Sequence, residues 1–195
     1  MISISCGSNI YPTNQKISKA LGVISKFRFF LSSKSLLTLY HTLEYPYLSY
    51  CNILWSSTYP SNLNRMFLLY KYIVRIKIGA EHLAHIVPLF YNLNILDIYN
   101  INAFLVACFM YSYYNNLLPN AFDTLFSTHH QIHRYDTWNN RNYCTHYCRS
   151  NIKQFTIMHQ GPKVWNSLPC DVILSYRFSI SKTSLKKFLT DRKLN

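Results

Sequence analysis

The chain has 195 residues, 49% of them apolar, which is enough for one packed domain or a domain and a tail. Lys and Arg number 20 against seven Asp and Glu, a net charge of +13, and only four glycines argue against a sheet-rich fold of tight turns. The carboxylates Glu44, Glu81, Asp97, Asp123, Asp136, Asp171 and Asp191 are isolated along the chain. Two-metal phosphoryl transfer needs several of them converging on cations roughly 4 Å apart, so the composition excludes that chemistry.

Taken in chain order, residues 1–13 show no periodicity. From Asn14 the pattern is helical, with Ile17, Ala20, Leu21, Ile24 and Phe27 on one face and Lys16, Lys19 and Lys26 on another. Ser33 is placed to cap a second helix that turns Leu36, Leu37, Tyr40 and Leu43 inward. Pro46 should kink or end it, because proline lacks an amide donor and clashes with the preceding turn. Pro60 suits the first turn of a third helix burying Leu63, Met66, Phe67, Tyr70, Ile73 and Val74, with Gly79 as its left-handed stop. Arg65, Lys71 and Arg75 fall away from that buried side. A fourth helix is expected over about Leu96 to Asn116, with Ile98, Ile101, Leu105, Cys108 and Phe109 inward, ending before Pro119.

From Asn120 to Ser150 the pattern dissolves into His, Asn, Tyr and Arg, an irregular connector. Beyond it a short strand is expected at Phe155 to Met158, a turn at Gly161-Pro162, a single helical turn over Pro162 to Ser167, and a short last helix over Ser181 to Leu189. The organisation is therefore 1–13 irregular, 14–119 helical, 120–150 connector and 151–195 a basic C-terminal region. The fold class is mainly α.

The most apolar run, Ala103 to Tyr111, is far short of the roughly 20 residues of a membrane-crossing helix. The N-terminus lacks the layout of a signal peptide, so the six cysteines are read as reduced thiols of an intracellular protein, nuclear or cytoplasmic and not secreted. His129, His130, His133, Cys144, His146 and Cys148 crowd into 20 residues, but their spacing matches no standard zinc site; neither a metal nor a cofactor is expected, and a small zinc-binding module around Cys144, His146 and Cys148 is the alternative.

The charge points to a partner. From Arg141 onward there are ten basic and two acidic residues, so this end carries +8 of the +13. Such an excess suits nucleic acid or an anionic membrane, and basic residues interleaved with aromatics (Lys26-Phe27-Arg28-Phe29-Phe30, Arg65 to Lys77, Arg141-Asn142-Tyr143) favour nucleic acid. Of these aromatics, Phe27, Phe67 and Tyr70 read as core. Lys182, Lys186, Lys187, Arg192 and Lys193, offset only by Asp191, read as phosphate contacts. In Gln160 to Pro169, Trp165 reads as a buried anchor for the basic tail.

Five segments in order resemble the C-terminal part of the reverse transcriptase of non-LTR retrotransposons of the LINE type (jockey or CR1-like). They are Leu39-Tyr40-His41-Thr42-Leu43-Glu44-Tyr45-Pro46-Tyr47-Leu48-Ser49-Tyr50-Cys51-Asn52-Ile53-Leu54-Trp55, Leu63-Asn64-Arg65 to Arg75, and Pro88-Leu89-Phe90 with Leu93-Asn94-Ile95-Leu96. Phe109-Met110-Tyr111 to Leu118-Pro119 follows, and the set closes with Gly161, Pro162, Trp165, Asn166, Ser167, Leu168 and Pro169. The resemblance implies a thumb-like helical bundle and a loop-rich basic extension that lie after the polymerase palm and grip template–primer duplex. The palm's Tyr/Phe-x-Asp-Asp motif is not in the chain, so what is implied is a fragment without polymerase catalysis that binds RNA or an RNA–DNA duplex, or sits beside a palm. Lys71, Arg75, Lys182, Lys186 and Lys187 are the expected nucleic-acid contacts, and Gly161, Pro162, Trp165, Asn166 and Pro169 the structural motif. The chain departs from the family at Tyr70-Lys71-Tyr72, Lys77 and Thr137-Trp138.

Overall fold

The computed structural model describes residues 10–78, 85–132, 142–175 and 177–191. These are mainly helical, with no strand among them, so the fold class read from periodicity holds. Two compact units divide the chain: Met1–Asn102 with Thr190–Asn195, and Ala103–Leu189. Gly79, His133, Thr137, Trp138, Arg141, Arg192 and Lys193 lie outside the described residues.

In the first unit, α1 (Ile10–Phe27) packs against α5 (Pro60–Ile78). Ile17, Ala20 and Ile24 of α1 are buried, as are Leu63, Met66, Tyr70, Ile73 and Val74 of α5. These are the three- and four-residue steps of a helix with one apolar stripe. Phe27, expected in the core, is instead 48% exposed, because α1 ends there and the chain turns away. Ser32, one residue before the expected cap, accepts from the Ser35 amide at 3.2 Å and starts α2 (Ser33–Leu39).

Pro46 does not end the helical path. A π-helical turn at Tyr40–Glu44 follows α2 and leads into α3 (Tyr45–Ser49). The wider turn leaves Pro46 in the first turn of α3, where no amide donor is needed and the ring meets no preceding carbonyl. After a left-handed Cys51 (φ 51°) comes α4 (Asn52–Trp55). The sequence pattern missed α6 (Ile86–Asn92), which is too short to show a period. It closes through Asn94 (φ 50°), with the Ile95 amide on the Phe90 carbonyl at 3.0 Å, so asparagine takes the role glycine usually fills.

Buried polar groups tie this unit together. The Tyr70 hydroxyl donates to the Leu96 carbonyl at 2.7 Å, so its bond with Tyr40, also 2.7 Å, runs from the Tyr40 hydroxyl. Burial pushes both phenols well above the ordinary tyrosine range. Asn52 donates to the Leu48 carbonyl at 2.8 Å and accepts from Asn102 at 3.0 Å, while Ser56 bonds back to the Asn52 carbonyl. The Asp97 carboxylate caps α7 (Ile98–Tyr114) by accepting from the Asn100 amide at 2.7 Å.

The second unit begins within α7. Val106, Ala107, Met110 and Tyr111 are its buried residues there, whereas Leu105, Cys108 and Phe109, expected inward, are half-buried. α7 is apolar on nearly every side, so its sequence carries little contrast to say which side is covered. The region expected to be an irregular connector holds a 3-10 turn at Asn120–Phe122, α8 (His129–Ile132) and an antiparallel bridge between Thr128 and Tyr143. Then come α9 (Asn151–Gln154), α10 (Ile157–Trp165), α11 (Cys170–Ile173) and α12 (Phe178–Asp191). The strand expected at Phe155 to Met158 is absent, since Thr156 already starts α10. The turn expected at Gly161-Pro162 is absent too, because α10 runs through both residues. The last helix is three residues longer at its start than expected.

Candidate nucleic-acid interface

The closing motif is the scaffold of the second unit. Gly161 is buried where a Cβ would stand 2.8 Å from Met110 Sδ and 3.2 Å from two ring atoms of Phe126. Glycine is therefore required for close approach, not for a turn. Pro162 is buried beside it, and its missing amide leaves the carbonyl of the exposed Met158 without that helical donor. Trp165, 3% exposed, packs 5.5 Å from the Tyr114 ring and 6.4 Å from that of Tyr143. At this burial it has no free face for a base.

Asn166 completes the arrangement. Its Oδ1 accepts from the Tyr143 amide at 3.2 Å and its Nδ2 donates to the Tyr143 carbonyl at 2.9 Å, so one side chain pairs both backbone groups as a neighbouring strand would. Tyr143 also packs against Tyr113 and Phe126, and burial pushes its phenol up. Pro169 then precedes α11.

The basic helix that follows is held by further packed residues. Phe178, at the start of α12, stacks on Tyr111 at 5.3 Å. The buried Ser181 hydroxyl donates to the Val172 carbonyl at 3.2 Å, and Leu185 and Leu189 are buried on the same face. Lys182 and Lys187 are both exposed, Lys182 on the flank of this stripe one turn on from Phe178 and Lys187 on the far side of the helix, with Lys186 half-buried. Lys182 Nζ stands 4.1 Å from the Phe178 ring centroid, an arrangement that steadies the ammonium without neutralising it. Partial burial lowers the Lys186 pKa below the ordinary lysine range. Burial pushes the Cys108 thiol up to about 11, against the opposing pull of the Lys182 charge. The thiol thus stays neutral beside the lysine face.

In the first unit Lys71 and Arg75 are both half-buried, and Lys71 Nζ lies 4.1 Å from the Phe67 ring centroid. Among the described residues of that unit the exposed cations are instead Lys16, Lys19, Lys26, Arg28, Lys34 and Arg65. Phe29 and Phe30, between α1 and α2, are 77% and 84% exposed, with Arg28 over the Phe29 ring at 4.4 Å. Sequence reasoning missed Tyr47 and Tyr50, which line an open groove with Lys16. The clue was their place beside Pro46, where alternate residues cannot all face the core.

Of the cysteine and histidine cluster, Cys148 and the His146 carbonyl join His159 in a small hydrogen-bonded knot. Cys148 Sγ lies 3.7 Å from His159 Nδ1, and both approach the His146 carbonyl. Among the described residues no three His, Cys, Asp or Glu side chains gather as a metal site. No helix among them is long and apolar enough to cross a membrane.

No family model, curated protein or solved structure matches the chain.

Proposed function

We propose that this chain derives from the thumb and post-thumb region of a non-LTR retrotransposon reverse transcriptase and retains sequence-independent binding of RNA or an RNA–DNA duplex, without polymerase catalysis. The observation that carries the binding is α12. A helix held by four packed positions (Phe178, Ser181, Leu185 and Leu189) presents Lys182 on its flank and Lys187 on its outer side to solvent. Lysines on an already formed helix need no backbone ordering to meet phosphates, and each contact releases condensed counterions. Lys71 and Arg75 are secondary contributors on this reading, since part of each side chain is already committed to packing.

The test is binding of a mixed-sequence RNA–DNA hybrid across a salt series. Log affinity should fall with log salt by about 0.9 per phosphate contacted. Replacing Lys182 and Lys187 by Gln should flatten that slope by roughly 2 while leaving the circular dichroism unchanged. An affinity that hardly changes from low to physiological salt overturns the proposal. The lineage has its own test: an in-frame Tyr/Phe-x-Asp-Asp in the coding sequence upstream of residue 1.

A second reading is a mobile-element remnant without a partner, and the exposed Phe29 and Phe30 favour it. Apolar surface of this kind drives self-association when nothing covers it. Self-association that Phe29→Ser with Phe30→Ser abolishes, in a protein with no affinity for nucleic acid, would select this reading.

A further inference from the structure

From the groove beside α1 we infer a second site, one that takes an unpaired nucleobase of single-stranded RNA or DNA. It lies in the first unit and shares no residue with the lysine face of α12. The groove encloses about 530 Å³ between the start of α1, α3 and α4, within the usual range for a small-ligand site. Tyr47, Tyr50, Leu54 and Trp55 supply apolar and aromatic walls, and Lys16 enters from α1. None of the lining residues is acidic.

Three features make this a shaped site and not a gap in the packing. Trp55 is fixed as its floor, 3% exposed, with Nε1 donating to the Tyr50 carbonyl at 2.9 Å. The next residue after Tyr50, Cys51, holds a left-handed backbone at φ 51°, which a side chain adopts only at a cost. That turn leaves the Tyr50 ring 78% exposed at the groove rim, while Tyr47 stands 38% exposed with the Lys16 ammonium 5.5 Å from its ring centroid. Two tyrosine rings and a cation thus border one opening.

The charge decides the occupant. Lys16 and Lys19 are three residues apart on α1, hence neighbours on its surface. Lys19 lines a separate polar recess with Arg65, Gln15, Ser18 and Asn14. Asn14 is 9% exposed, and its side-chain oxygen has no hydrogen-bond partner among the described residues, leaving a buried acceptor beside the recess. An aromatic slot bordered by Lys16, with Lys19 one turn further along the same helix, suits a ligand with a flat π face and an anionic chain. A single strand has both, because its bases are free to stack on tyrosine while its phosphates follow the lysines. A duplex hides its base faces and cannot enter. A proline-rich peptide would use the tyrosines but gain nothing from Lys16, Lys19 and Arg65.

The experiment measures binding of the full chain to a fluorescein-labelled deoxythymidine 12-mer and, separately, to a blunt RNA–DNA hybrid. Tyr50→Ala should weaken single-strand binding about tenfold, and Lys16→Gln about threefold, with duplex affinity within twofold of the parent. Tyr50→Phe should restore single-strand binding, which distinguishes stacking from loss of a hydroxyl contact. The paired Lys182→Gln and Lys187→Gln variant should weaken the duplex and spare the single strand, so failure of the groove and failure of the α12 reading give different results. Single-strand affinity unchanged in Tyr50→Ala overturns the inference. So does a proline-rich peptide that binds the parent chain and is displaced by no oligonucleotide.

Discussion

Replacing Gly161 by Ala tests whether the closing motif acts through close packing. In a helix interior alanine is favoured over glycine by about 1 kcal/mol, so on helix propensity alone the variant should be the more stable. The opposing cost comes from the new Cβ, 2.8 Å from Met110 Sδ and 3.2 Å from Phe126 Cε1 and Cζ. A thioether usually yields, but Met110 is 0% exposed and has no open direction in which to swing. Phe126 is held as well: its ring meets Tyr113 edge-on at 4.8 Å, and the Tyr113 hydroxyl bonds its carbonyl at 3.1 Å. Overpacking a site of this kind costs about 1–3 kcal/mol. With the sulfur contact inside van der Waals distance the upper part of that range applies, leaving a net loss of about 1–2 kcal/mol. Urea unfolding followed by tryptophan fluorescence should show a lower midpoint at unchanged slope, and a thermal midpoint lower by roughly 2–8 °C. A double-variant cycle with Met110→Ala isolates the cause. Met110→Ala is itself destabilising, but in its background Gly161→Ala should become neutral or stabilising, a coupling of at least about 1 kcal/mol. A Gly161→Ala chain as stable as the parent would refute the close-packing account of the motif.

Asn166→Asp keeps an acceptor for the Tyr143 amide but sets an oxygen against the Tyr143 carbonyl, so it should cost about 1–3 kcal/mol by thermal denaturation. Tyr70→Phe removes the donor to the Leu96 carbonyl and the acceptor for Tyr40, and a loss of similar size is expected in the urea midpoint. Alkaline pH should destabilise the fold. The Cys108 thiol is raised from 9.0 to about 11 and the phenols of Tyr40, Tyr70 and Tyr143 are raised by burial, so the unfolded chain ionises first. Stability that is complete below pH 9 should then fall as pH rises, through the thiol between 9 and 11 and through the phenols above about 10; Cys108→Ala should remove the earliest part of the decline.

What the sequence made legible is the set of residues whose identity packing constrains. In the stretch from Leu39 to Trp55, the buried residues include Tyr40, Leu48, Asn52 and Trp55, and in the closing motif they are Gly161, Pro162, Trp165 and Leu168. Periodicity placed α1 and α5 because each has one apolar stripe. It could not orient the second half of α7, where apolar residues surround the helix, and it could not find α6, which spans fewer than two turns. Gly161-Pro162 was misread because the pair serves equally in a turn and in a helix pressed against a neighbour. Only the position of Met110 and Phe126, far away in sequence, decides between them.

The same logic separates ancestry from binding. The motif residues are spent on the interior: Trp165 is covered by Tyr114 and Tyr143, and Asn166 is committed to the Tyr143 backbone. A chain can therefore keep every one of them and bind nothing. On the proposed reading, binding falls to side chains the interior does not use, among them Lys182 and Lys187 on α12 and Lys16 and Tyr50 at the groove. Tyr50 is the sharper case, because leaving a ring 78% exposed next to a left-handed Cys51 gains the fold nothing. The ring that least serves stability is the one whose removal most directly asks whether this surface meets a base.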